Sequence, residues 1–157
     1  MRKLLISLIA IAALGTGGAF AQSGFWAGLS GGYPGAQVHF GVENAFAGLD
    51  LRTNLGYGFF GARGIGFGVD VLYGLDVDTG VTPIDVYVGG GPNFSIGDGA
   101  FGFSIDAFVG GEYRLGEIGL PEGGVFLEVG PAIRLLGADG FALGFDFIGR
   151  LGFNYHF

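Results

Sequence analysis

From Phe141 to Phe157 the chain reads FALGFDFIGRLGFNYHF and alternates without a break. Odd positions hold Phe141, Leu143, Phe145, Phe147, Gly149, Leu151, Phe153, Tyr155 and Phe157. Even positions hold Asp146, Arg150, Asn154 and His156, with small residues and Ile148 between them. A period of two specifies an extended strand, because successive side chains of a strand point to opposite faces. A helix would scatter Asp146, Arg150 and Asn154 among the phenylalanines. Seventeen residues also far exceeds the usual strand length of about five or six. One face is aromatic enough for hydrocarbon and the other is ionised, the pattern of a membrane-crossing β-barrel strand.

The same alternation recurs between turn signals and gives eight segments: 25–32, 36–43, 47–59, 65–75, 83–96, 101–115, 125–135 and 141–157. The apolar parity contains no charged residue, and Thr53 is its one clearly polar member. The opposite parity collects Glu43, Asp50, Arg52, Asp70, Asp85, Asp106, Glu112, Arg114, Glu128, Arg134, Asp146 and Arg150. Arg or Lys facing lipid costs about 2–4 kcal/mol at the bilayer midplane, so this segregation is what a membrane requires. Antiparallel strands joined by hairpins can close, which satisfies every backbone N–H and C=O without water, whereas an open sheet leaves bare edges. The fold expected is all-β: a closed, antiparallel, eight-stranded up-and-down transmembrane β-barrel over residues 22–157.

Turns are expected at Tyr33-Pro34-Gly35, 44–46, 61–64, 76–82, 97–99, 116–124 and 137–140. Proline presets φ in such turns and glycine supplies positive φ. An even strand count puts both ends of the barrel on one side, the periplasmic one in this class. The connections at 33–35, 60–64, 97–100 and 137–140 then face outward and are short, while 76–82 and 116–124 are periplasmic.

Composition removes most other classes. Residues are 50% hydrophobic and 13% charged, yet beyond the N-terminal region no run approaches the about twenty apolar residues of a membrane helix. The 36 glycines follow no G-X-Y period, so collagen is excluded. The chain has no cysteine, hence no disulfide, no thiolate metal site and no Cys nucleophile. At the start, Arg2 and Lys3 precede the apolar run 4–14, and Ala19-Phe20-Ala21 fits a small-x-small cleavage site. Residues 1–21 therefore read as a cleavable signal peptide, with the mature chain beginning at Gln22 and exported. What remains carries five arginines, no lysine and fourteen acids, a balance of −9. Such a chain has no electrostatic footprint for nucleic acid.

An eight-stranded barrel is only wide enough to be filled by side chains. The inward parity fills it with the twelve charged residues named above and His39, and glycines such as Gly66, Gly68, Gly89, Gly91 and Gly110 make room for the arginines. Buried ions must be paired, so an Arg–carboxylate network with trapped water is expected in place of an open pore. Eight acids against four arginines leave carboxylates over, which must be protonated, share a proton or bind a cation. Leu72, Tyr87, Phe108, Phe126 and Ile148 share the inward parity and form either a small apolar plug layer or mark a β-bulge.

The signal peptide, the eight alternating strands and the closing GRLGFNYHF together resemble the small eight-stranded outer-membrane barrels, the transmembrane domain of outer-membrane protein A and its OmpX-like relatives. In that resemblance Leu151, Phe153, Tyr155 and Phe157 correspond to the C-terminal signal read by the barrel-assembly machinery. It implies residence in the outer membrane of a double-membraned bacterium, contact with outer-membrane lipid and a monomeric state. The short loops depart from the family and argue against adhesion.

Catalytic and cofactor readings find little support in the residues. The serines have no HxS-type neighbour, so His39 and His156 read as structural and a lipid A-modifying enzyme is the third choice. Asp76-Val77-Asp78-Thr79-Gly80 lacks the further acidic ligands of a calcium loop, and Gly89-Gly90-Gly91 has no Walker lysine. No cofactor or metal is expected. Trp26, Tyr57, Tyr73, Tyr113 and Tyr155 read as interfacial girdle residues. A soluble lipocalin-like barrel would have to place about forty bulky apolar side chains in one eight-stranded lumen, which cannot hold them. The sequence thus points to a structural, membrane-stabilising barrel and not an enzyme, with a narrow channel or small-solute conduit of OmpW-like type as the alternative.

Overall fold

The computed structural model describes residues 24–60, 63–77, 84–97, 100–137 and 140–157. The signal-peptide segment 1–21 lies outside the described residues, as do Asp78, Thr79 and Gly80 of the calcium-loop comparison.

Eight strands follow one another: β1 (Phe25–Tyr33), β2 (Gly35–Phe46), β3 (Leu49–Gly58), β4 (Gly64–Leu75), β5 (Ile84–Gly97), β6 (Ala100–Arg114), β7 (Gly123–Gly137) and β8 (Gly140–His156). Each pairs antiparallel with its neighbours in order, and β1 pairs with β8 from Trp26↔His156 to Tyr33↔Gly149, so the barrel is closed. The long alternation of β8 is one continuous strand, paired on both sides. Closure leaves no edge, which is how an all-β wall accounts for its backbone hydrogen bonds.

Two connections differ from the sequence expectation. The turn placed at 44–46 moves to Ala47-Gly48, and β2 continues to Phe46 across a register shift between Val42 and Phe46. Asn44 and Ala47 take φ of 50° and 51° there, and the Asn44 N–H donates to the Asp50 carboxylate at 2.8 Å. Asn tolerates this left-handed backbone better than most residues, so the two extra residues of β2 are absorbed in the irregularity. In the connection after β6, Leu115–Ile118 forms a short 3-10 helix ended by Gly119 at φ 89°, and β7 begins at Gly123, two residues earlier than expected.

Proline interrupts ladders because it lacks an N–H. Pro92 in β5 and Pro131 in β7 each follow a glycine, and a Cβ on Gly91 or Gly130 would strike the carbonyl of Val69 or Ala107. Glycine lets the neighbouring backbones stay close where the proline removes a bond.

Parity governs burial. Outward Leu127, Phe145 and Phe147 are exposed, as are most large apolar side chains of that face, with Phe103 and Phe153 half-buried, while inward Phe126 and Ile148 are buried. Leu72, Phe108 and Ile148 join Trp26 and Ala132 in the lumenal apolar cluster, with Tyr87 packed against it. The register shifts lie elsewhere, at Val42/Phe46, Phe103/Ser104 and Arg134/Leu136, so these residues form a plug layer and mark no bulge. Trp26 corrects the girdle assignment. It faces the lumen and is 5% exposed, on the parity of Gly28 and Ser30.

The inward glycines also serve a different purpose from the one expected. Trp26 lies opposite Gly41, Tyr87 opposite Gly110, Phe108 opposite Gly89, and Phe126 opposite Gly152. A Cβ on any of these four glycines would run into the facing ring. The missing side chains make room for aromatic rings lying flat across the adjacent strand, and at Gly68 for the Asn93 amide, not for arginines.

Candidate functional site

The register of the strands builds the centre of the lumen. Arg52 on β3 stands directly opposite Asp70 on β4, and Glu128 on β7 directly opposite Arg150 on β8. The two cross-strand pairs face each other across the barrel. Arg52 reaches Glu128 with Nη1–Oε1 at 2.5 Å and Nη2–Oε2 at 3.1 Å, and holds Asp70 through Nε at 3.1 Å and Nη2 at 2.8 Å. All four hydrogen bonds are charge-assisted, and the Arg52–Glu128 pair is bidentate. Asn54 donates to Asp70 at 2.7 Å and the Tyr87 hydroxyl to Glu128 at 2.9 Å.

Arg150 sits more loosely, 3.5 Å from Glu128, 3.8 Å from Asp106 and 4.0 Å from Asp70. The Phe108 ring carries both guanidinium groups, with its centroid 5.1 Å from Arg52 and 5.2 Å from Arg150. Asp106 takes further hydrogen bonds from Asn93 at 2.8 Å and Ser104 at 3.2 Å. Buried ions are costly unless paired and fully hydrogen-bonded, and here mutual ion pairs, amides, hydroxyls and a π face share that task.

The remaining charges form separate groups at the two mouths. At the end carrying Gly24 and Phe157, His156 bridges Glu43 at 3.2 Å and Glu112 at 2.8 Å. Glu112 also accepts from the Asn154 amide, whose oxygen lies 2.6 Å from His39 Nε2. Arg114 bonds Asp85 at 3.1 Å in an exposed pair, and Asp50 holds the β2–β3 turn. At the opposite end Arg134 binds Asp146 at 2.6 Å, and the Tyr33 hydroxyl donates to the same carboxylate at 3.3 Å. The twelve charged residues thus make a central cluster of Arg52, Asp70, Asp106, Glu128 and Arg150 with two flanking groups, not one continuous network. Asp85 and Arg134 are 63% and 50% exposed and belong to the mouths.

The carboxylates in excess over arginine meet Asn54, Asn93, Asn154, Tyr87, Ser104 and His156. All share the inward parity, which was the available signal for them. Among the described residues no group of three or more His, Cys, Asp and Glu side chains is arranged to hold a metal ion. A cavity of about 270 Å³ lies at the Gly24/Phe157 end and one of about 590 Å³ at the other, with Arg52 lining the first and Arg150 the second. Leu151, Phe153 and Tyr155 line up on the outer face of β8, and the Phe157 N–H caps the strand on the Phe25 carbonyl at 2.8 Å.

A closed eight-stranded antiparallel barrel, apolar outside and charged within, is the class these features define. No protein-family model matches the chain, and no curated protein matches it. Among solved structures it is similar to the crystal structure of a major outer membrane protein from Thermus thermophilus, with a TM-score of 0.59 and 15% identity, covering 86% of this chain and 99% of that one. At that identity the likeness is one of fold.

Proposed function

We propose that this chain is an integral outer-membrane barrel with a structural, membrane-stabilising role, and neither an open pore nor an enzyme. The observation carrying this reading is the Arg52–Glu128 bond, 2.5 Å long between side chains 1% and 0% exposed, which ties opposite walls together across the lumen. The exposed apolar outer face supports lipid as its surroundings, and the Thermus outer-membrane protein of the same fold supports the location. Within this reading the chain is exported by its N-terminal segment, presents Leu151, Phe153, Tyr155 and Phe157 to the assembly machinery, and works as a monomer of OmpA/OmpX-like type.

A narrow conduit is the second reading, favoured by the cavities of about 270 and 590 Å³ that approach the cluster from either end. Single-channel recording in planar bilayers separates the two. Under the structural reading wild-type protein is silent, Arg52→Ala and Arg150→Ala open a conductance, and Arg114→Ala at the mouth does not. Steady ion-selective current through wild type would make the conduit the better description.

A further inference from the structure

The larger cavity, at the end away from Gly24 and Phe157, has a volume of about 590 Å³, inside the range of about 300–1,000 Å³ common to small-molecule sites. Its lining includes the neutral polar side chains of Gln37, Asn54, Asn93, Ser95 and Ser104 among charged and apolar ones. Each of these neutral groups carries both donor and acceptor capacity, part of it already used where Gln37 donates to Asn54, Asn54 to Asp70, and Asn93 and Ser104 to Asp106. Of the charges that line it, Arg134 binds Asp146 at 2.6 Å and Arg150 lies 3.8 Å from Asp106, and Arg63 also contributes to the lining.

Arg150 provides the second observation. It is 5% exposed and lines the cavity, yet its Nε and Nη2 hydrogens have no hydrogen-bond partner in the protein. A buried donor left unmade is a standing demand for an acceptor. An anion answering it would meet Asp106, Glu128 and Asp70, all within 4.0 Å of the same guanidinium. A cation would meet the guanidinium itself, and an apolar ligand would leave the polar floor unpaired. A neutral hydroxyl satisfies it without either penalty. At the rim the Tyr33 and Phe60 rings stack with centroids 6.4 Å apart, an apolar platform beside the polar floor.

The cavity is also kept open where packing does not require it. A Cβ on Gly66 would meet only the Phe94 carbonyl at 3.5 Å, and one on Gly144 only the Arg134 Cβ at 3.7 Å. Neither glycine needs a positive φ. Side chains would fit at both positions, and they would fill the cup.

We infer that this cup binds a neutral, hydroxyl-rich solute of the mono- or disaccharide class, which enters past Tyr33 and Phe60. Its hydroxyls engage Arg150, Asn54 and Asn93 at the floor, and its C–H faces lie on the rim aromatics. The cup shares Arg150 and Asp106 with the central seal, but Gly66 and Gly144 line it away from the Arg52–Glu128 bond, so conductance tests the seal and sugar binding to the Gly66 and Gly144 variants tests the cup.

The test is nuclear magnetic resonance of the protein in phosphatidylcholine nanodiscs, titrated with glucose, maltose and sucrose. At least one sugar is expected to shift the side-chain amide signals of Gln37, Asn54 and Asn93 saturably. The Trp26 indole, which lines the other cavity, stays unmoved. Gly66→Leu and Gly144→Leu are expected to weaken that binding by about tenfold or more while the thermal unfolding of the barrel is retained. No saturable shift with any of the three sugars would overturn the proposal. So would equal binding by the filled variants, or amide shifts produced by decanol and by none of the sugars.

Discussion

Arg52 and Glu128 are 76 positions apart in the chain and bonded at 2.5 Å in the middle of the barrel. Neither belongs to a neighbouring strand of the other, so the bond exists only once the sheet has closed. It joins two ladders, β3–β4 and β7–β8, each of which already holds its own directly opposed ion pair.

Removing one partner leaves buried charge uncompensated, which typically costs about 3–5 kcal/mol. Arg52→Met should therefore destabilise the barrel strongly in denaturant unfolding from lipid vesicles. Arg52→Met with Glu128→Leu should recover part of that loss, since the buried Glu128 charge goes with its partner while Asp70 keeps only Arg150 at 4.0 Å and Asn54. If the double variant is as unstable as the sum of the singles, the two residues are not coupled.

Leu127 lies beside Glu128 on the outer face and is 56% exposed. In a bilayer, Leu127→Arg should cost about 2–4 kcal/mol. In water, a surface substitution of this kind stays within about 0.5 kcal/mol. Unfolding free energy in vesicles discriminates the two directly, and a near-zero change would remove the membrane from the account.

The Phe108 ring lies over Gly89 and beneath two guanidinium groups. Gly89→Ala drives a methyl into that ring and should cost about 1–3 kcal/mol by overpacking. Phe108→Leu keeps much of the bulk but loses the π face, worth about 2 kcal/mol when desolvated. A stabilising outcome for Gly89→Ala in thermal unfolding would mean that the ring moves freely.

Gly130→Ala tests the glycine–proline pairs, because the new Cβ would meet the Ala107 carbonyl across the ladder. An expected loss of about 1–3 kcal/mol follows from the forced strand separation. Gly66→Ala, in open space, serves as the comparison and should be close to neutral. Equal effects at both sites would show that backbone proximity is not what Gly130 provides.

Much of this was legible in the residues. Alternation located eight strands, and parity placed Asp70, Glu128 and Arg150 inside before any contact was known. The same rule applied to Trp26 would have put it in the lumen; its chemistry, typical of membrane interfaces, suggested the girdle. The turn at Ala47-Gly48 was hidden because Asn44 carries the stronger turn signal yet sits in a bulge, held by Asp50.

The sequence by itself determined which face of each strand each side chain takes, and hence that the wall is apolar outside and polar inside. Period two leaves no freedom in that choice. Height along the barrel and position around it are different quantities, decided by register shifts and closure across all eight strands. Only the tertiary structure could therefore divide the twelve charges into a seal and two mouths, lay four rings over four glycines, and leave Arg150 with unpartnered hydrogens above an open cup.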